Sequence, residues 1–238
     1  LLTALGSMLS KQAADSKLST VFHFIGGMLV PGGALVVLSE LNAYGEWTLA
    51  STFLTIAVFY TLLAFVHRHL VLTLFAIING TTAMYLLAAA ALDPVLGYRE
   101  MEVLLQYLTM ALGASYLLGA RSFVDTWNAG LVGPLHFFGI TGLLGAGFFR
   151  VLDSGWWELF YFIFVFGGLL LAIHMRSRSI LVMSTIFLLV HVSYITGEYF
   201  ANSLGWPIVL VLLGFIFIGL GYMSLIINNK YINSNANV

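Results

Sequence analysis

The sequence predicts an all-α integral membrane protein, with eight transmembrane helices in a parallel 4+4 internal repeat. Three observations lead there. Of 238 residues, 61% are apolar and only 8% are charged, and the mean hydropathy is +1.00. A water-soluble domain carries about 25% charged residues, so this chain has too few charges to clothe a surface facing water. Its apolar residues fall into eight runs of the length, about 20 residues, that a helix needs to cross a hydrocarbon core about 30 Å thick. Finally, residues of the first four runs recur in order in the last four. The same composition excludes other classes. A chain this apolar, with 15% aromatic residues, is not disordered. A formal net charge of −1 does not suit a nucleic-acid binder. The absence of cysteine removes disulfides, thiolate metal sites and thiol catalysis.

The elements follow in order. In residues 1–17, Leu1, Leu2, Leu5, Met8 and Leu9 share one helical face and polar residues follow, the pattern of an amphipathic helix lying on the cytoplasmic surface. The chain begins without an initiator Met, which leaves room for a further cytoplasmic region before it. The eight spans are 18–38, 48–66, 70–92, 103–120, 129–149, 156–174, 180–200 and 206–227. They are too long for membrane strands and lack a two-residue alternation. The first is about twice as long as the apolar part of a signal peptide, and no small-residue cleavage site follows it. In that span Pro31 stands between Gly26-Gly27 and Gly32-Gly33, and it reads as a kink, with a flexible gate as the alternative. Span 5 carries Gly139, Gly142, Gly145 and Gly147. Small residues at such spacings let helix backbones approach closely, so spans 1 and 5 are expected to form the crowded centre. The polar tail, 228–238, reads as a short frayed end.

Orientation follows from the basic residues. Lys11, Lys17, Arg68, Arg121, Arg176, Arg178 and Lys230 fall on one side, and Arg99 and Arg150 on the other. The positive-inside rule then puts both termini in the cytoplasm. Most acidic residues, including Glu40, Glu46, Asp93, Asp153, Glu158 and Glu198, fall on the opposite side.

The duplication rests on ordered matches. His23-Phe24-Ile25-Gly26 resembles His136-Phe137-Phe138-Gly139; Gly32 meets Gly145, Glu40 meets Asp153, and Gly45 and Trp47 meet Gly155 and Trp157. His67 and His174 end the second and sixth spans, and Gly113-Ala114-Ser115-Tyr116 resembles Gly219-Leu220-Gly221-Tyr222. Four spans per unit is an even number, so both units enter from the same side. The expected domains are therefore 18–120 and 121–227, flanked by 1–17 and 228–238.

The chemistry is notable for what the spans lack. No Asp, Glu, Lys or Arg lies deep within any of them. Proton pumps and ion-coupled carriers keep such groups inside the bundle, so a neutral pathway or a lipid groove is the form of transport left open. Histidine is the titratable residue found at depth. His23 and His136 are related by the repeat, and across a two-fold axis they could ligate a haem iron; the structural alternative is a bond from each ring to a neighbouring carbonyl. His67-Arg68-His69 forms a tight turn; His-x-His can hold a metal, and the alternative, which is favoured, is that the imidazoles satisfy helix-end carbonyls. His191, Tyr194 and Glu198 lie at i, i+3 and i+7, a stripe running toward the outer surface. It would line an external vestibule, or else make a hydrogen-bonded helix contact with Glu198 solvated at the interface. Asn79, Thr81 and Thr82 are polar at mid-depth in span 3 and are expected to bond between helices. Asn79-Gly80-Thr81 matches the glycosylation pattern, but its depth argues against modification.

The second half carries a basic turn (Arg176-Ser177-Arg178), an aromatic and acidic outer segment from Tyr194 to Phe200, Leu204-Gly205-Trp206-Pro207, and a last helix with Gly214, Gly219 and Gly221. Over roughly 113–230 this resembles bacterial multispan membrane protein families of unknown function. The resemblance implies a bacterial inner membrane and supplies no catalytic residues; the N-terminal cytoplasmic segment usual in such families is absent or shortened here. The functional expectation is a non-catalytic accessory or scaffold subunit, with the lipid bilayer and other membrane proteins as partners, no nucleic acid, no metal and no cofactor. Two alternatives stand beside it. One is a transporter or channel for a neutral or lipid-like solute, with Asn79, His191, Tyr194 and Glu198 along its path. The other is a haem-binding redox subunit using His23 and His136.

Overall fold

Helix ends in this chain are set by backbone caps rather than by where the apolar runs stop. The computed structural model describes residues 17–93, 95–153, 155–200 and 206–232. Among these, eight helices are long and apolar enough to cross a membrane. They are α1 (Lys17–Glu40), α2 (Glu46–His67), α3 (Leu70–Leu92), α4 (Tyr98–Phe123), α5 (Val132–Asp153), α6 (Gly155–His174), α7 (Arg178–Phe200) and α8 (Trp206–Ile227). The protein is a multi-pass, all-α membrane protein. A 3₁₀ turn, Ala129–Leu131, leads into α5. The amphipathic helix expected before residue 17 lies outside the described residues, as do 233–238. The tail expected to fray instead continues past α8 as a π turn, Asn228–Ile232.

The fourth span shows how caps extend a helix. Apolar content suggests 103–120, yet α4 starts five residues earlier, at Tyr98. The Glu100 carboxylate takes the Gly97 N–H at 3.2 Å, satisfying a donor that the helix itself leaves unpaired. The charges in that first turn sit at an end where water can reach them. Between α2 and α3 only Arg68 and His69 intervene. Arg68 adopts a left-handed conformation (φ 48°), and its N–H bonds the Ala64 carbonyl at 2.8 Å. His69 then caps α3, its Nδ1 accepting the Val71 N–H at 3.3 Å. Between α6 and α7, Arg176 is likewise left-handed (φ 48°) and Ser177 Oγ accepts the Ile180 N–H at 3.5 Å.

The chain divides into two compact units. The first takes Leu1–Leu105 and Ser122–Leu131; the second takes Gln106–Arg121 and Val132–Val238. The described core of the first centres on Tyr60, Leu72 and Phe75, with Ile56, Ala64 and Val71 around them. Its key contact follows from Pro31, which lies inside α1. Proline has no N–H, so the carbonyl four residues earlier, that of Gly27, loses its intrahelical donor. In a bilayer no water replaces it. The Tyr60 hydroxyl, reaching across from α2, donates to that carbonyl at 2.8 Å. Gly27 also leaves the space that the Phe75 ring of α3 fills; a Cβ there would collide with the ring.

In the second unit α5 is the most enclosed helix, with 44% of its span buried. Its glycines meet different neighbours. Gly139 crosses Gly113 of α4 so closely that a Cβ on Gly113 would lie 2.6 Å from the Gly139 carbonyl oxygen. Gly145 meets Phe187 of α7, and Gly147 meets Tyr161 of α6. The Tyr161 hydroxyl donates to the Leu144 carbonyl at 2.9 Å. In α1, by contrast, Gly32 and Gly33 have nothing within 4 Å among the described residues. Elsewhere on α1, His23 and Leu38 are buried and Ala34 packs on the core of the first unit. The α8 helix adds Leu220 and Ile227 to the core of its unit, and its Ser224 Oγ lies 3.5 Å from Thr185 Oγ1 of α7.

Candidate functional site

The polar residues at depth are held by local bonds. Asn79 Nδ2 donates to the Phe75 carbonyl at 2.7 Å, and Thr82 Oγ1 to the Ile78 carbonyl at 3.0 Å. These partners lie one turn back on α3 itself, so the expected bonds from these two residues to other helices are corrected. A short polar side chain in a helix finds the carbonyl at i−4 within reach, and in lipid that partner is always present. The Thr81 hydroxyl also bonds one turn back, to the Ile77 carbonyl at 2.8 Å.

The stripe on α7 is a graded contact. His191 has no exposed surface; Tyr194 is half-buried and Glu198 exposed. His191 Nε2 lies 3.1 Å from the Glu158 carbonyl oxygen, which only accepts, so the proton sits on Nε2. Its Nδ1 is buried without a partner. The rings of Phe162, Tyr161 and Phe148 surround the imidazole at centroid distances of 4.5, 4.8 and 6.4 Å. Tyr194 packs on Phe148 at 5.9 Å. The acidic group engaged nearby is Glu158 rather than Glu198: its carboxylate accepts the Tyr199 hydroxyl at 2.8 Å. Sequence spacing missed this pair because it joins two helices. It also missed Arg150, only 14% exposed in the last turn of α5, whose Nη1 lies 3.3 Å from Asp153 Oδ2 and 3.5 Å from Gln106 Oε1.

His23 and His136 belong to different units, and both are buried. His23 is gathered with the histidines of the α2–α3 turn. Its ring stacks on His69 (centroids 4.1 Å, planes 8° apart) and meets His67 edge-on at 6.4 Å. Burial lowers the His69 pKa from its ordinary 6.5, and the neighbouring His23 and His67 lower it further. Among the described residues no group of three or more His, Asp or Glu side chains could hold a metal ion.

Beside this turn lies the candidate site itself. A half-enclosed cavity of about 420 Å³ is bounded by the C-terminal part of α2, the N-terminal part of α3 and the connection from α4 to α5. Its apolar wall includes Ala64, Phe65, Ile77 and Trp127, and its polar lining includes Thr73 and Asn128. Among the described residues no charged side chain lines it. Thr73 and Asn128 are 9% and 7% exposed, and Thr73 Oγ1 and Asn128 Oδ1 have no hydrogen-bond partner among the described residues. The cavity lining includes none of Asn79, His191, Tyr194 and Glu198. Thr73 and Asn128 stand in no motif, and the sequence marked neither. Compared with family models, curated proteins and solved structures, the chain matches none of them.

Proposed function

We propose that this membrane protein is a non-catalytic accessory or scaffold subunit that works by packing against other membrane proteins. The observation that carries the reading is the outer face of α1. Ile25, Leu29 and Val36 form an exposed ridge, and Gly32 and Gly33 leave a dent in it that no described residue fills. A glycine in a helix interior is less favourable than alanine by about 1 kcal/mol, and in lipid such a dent offers another helix a close backbone approach. Asn79, Thr81 and Thr82 each bond a carbonyl one turn back on α3, which fits a packing role. The distribution of Lys and Arg supports an inner-membrane topology with both termini cytoplasmic. The matched residues support a parallel 4+4 repeat, and so do the left-handed Arg68 and Arg176 that close the second helix of each half.

Cross-linking in native membranes, followed by purification in mild detergent, tests the role. The expected result is a discrete assembly containing other membrane proteins. A Gly32→Leu/Gly33→Leu double variant should lose that assembly while keeping its helical circular dichroism. A chain recovered alone and monodisperse under both conditions would overturn the proposal.

A further inference from the structure

The cavity beside the α2–α3 turn raises a question that the packing role does not answer. Thr73 Oγ1 and Asn128 Oδ1 are buried on its lining and unpartnered. Leaving a buried polar group unsatisfied is costly enough that nearly all such groups in folded proteins find a protein or solvent partner. Water alone would serve the polar corner, yet most of the wall is apolar: Ala64, Phe65, Ile77 and Trp127. A volume of about 420 Å³ falls within the range of small-molecule sites. Without a charged side chain in the lining, an ionic head would be buried with no counter-charge. The carboxamide oxygen of Asn128 only accepts, so the head must donate. The Thr73 hydroxyl can donate or accept, so it takes whichever role remains. A hydroxyl satisfies both residues at once.

We infer that this cavity binds an uncharged amphiphile through a hydroxyl head held by Thr73 and Asn128, with its apolar body against Phe65, Ile77 and Trp127. The chemistry is shared by a bilayer glyceride with a free hydroxyl and by a free long-chain alcohol. The inference does not depend on the packing role, because it concerns a different surface and a different measurement.

The test uses the full chain in phosphatidylcholine nanodiscs and follows Trp127 fluorescence, isolated by subtracting a Trp127→Phe variant. Bromoundecanol is the probe, because bromine quenches tryptophan on contact. Saturable quenching is expected. Bromoundecane, which has no hydroxyl, should need about fivefold more to reach the same effect, and bromoundecanoate should bind no better than bromoundecane. Thr73→Val should bring the alcohol down to the level of bromoundecane. A dibrominated diacylglycerol that displaces the alcohol identifies the bilayer as the source; failure to displace it identifies a free alcohol. Non-saturable quenching, or equal midpoints for alcohol, alkane and carboxylate on the unsubstituted protein, overturns the inference whether or not the variant folds.

Discussion

Tyr60→Phe removes one oxygen, and its cost should depend on a residue in another helix. The Tyr60 hydroxyl is fully buried and donates to the Gly27 carbonyl at 2.8 Å. Cross-helix hydrogen bonds in membrane proteins average about 0.6 kcal/mol and reach about 1.7. This one belongs near the top of that range, at about 1.5 kcal/mol, because Pro31 denies the carbonyl its ordinary helical donor. Pro31→Ala restores a backbone N–H at the position that serves Gly27. In that background the carbonyl keeps a partner, and Tyr60→Phe should cost only about 0.5 kcal/mol. The double-mutant cycle should therefore return a coupling of about 1 kcal/mol. Reversible unfolding in mixed micelles with increasing SDS, followed by circular dichroism, measures all the chains required. Equal costs for Tyr60→Phe with and without the proline would refute the reasoning, since the hydroxyl would then not be standing in for the missing amide.

Gly113→Ala should destabilise the protein by about 2 kcal/mol in the same assay, because its Cβ would press on backbone atoms of α5. Gly119→Ala on the same helix, with nothing within 4 Å, should instead raise stability by about 0.5 kcal/mol; similar signs for both would contradict the crossing at Gly139. His191→Ala should cost about 3 kcal/mol by emptying a space walled by aromatic rings, while His191→Phe should change stability by less than about 1 kcal/mol; the reverse order would mean that the imidazole's polarity matters more than its bulk. The His69 pKa is lowered in the folded chain, so just below pH 6.5 the unfolded chain binds more protons. Stability should accordingly fall as pH drops through 6.5 and level off below the folded value. His69→Asn keeps a capping side chain and should flatten this dependence relative to the unsubstituted protein, and identical pH profiles for the two would show that His69 does not titrate as described.

The spans were legible because hydrocarbon thickness constrains them directly. Residues 70–92 and 206–227 emerge as read. The α4 start was not legible, because it depends on Glu100 folding back on Gly97, and a window of hydropathy counts that carboxylate as a reason to stop. Site residues divide in the same way. The spacing of His191, Tyr194 and Glu198 on one face of α7 follows from helical periodicity alone. What His191 touches on α6 was not legible, because spacing within α7 carries no information about its neighbour. Thr73 and Asn128 were invisible for a further reason: 55 positions separate them, and neither stands in a motif. Pro31 was recognised as a disturbance, but the donor that repairs it comes from α2, which no local pattern names.

The turn between α2 and α3 bears on how the protein is made. With only Arg68 and His69 between them, the two helices have no slack, and neither can settle in the bilayer while the other waits outside. They must enter the bilayer as a hairpin, with the Arg68 guanidinium kept at one membrane face. A reporter spliced into this joint would pry the hairpin apart and read out a topology of its own making. The segment joining α3 to α4 is the better place for a tag.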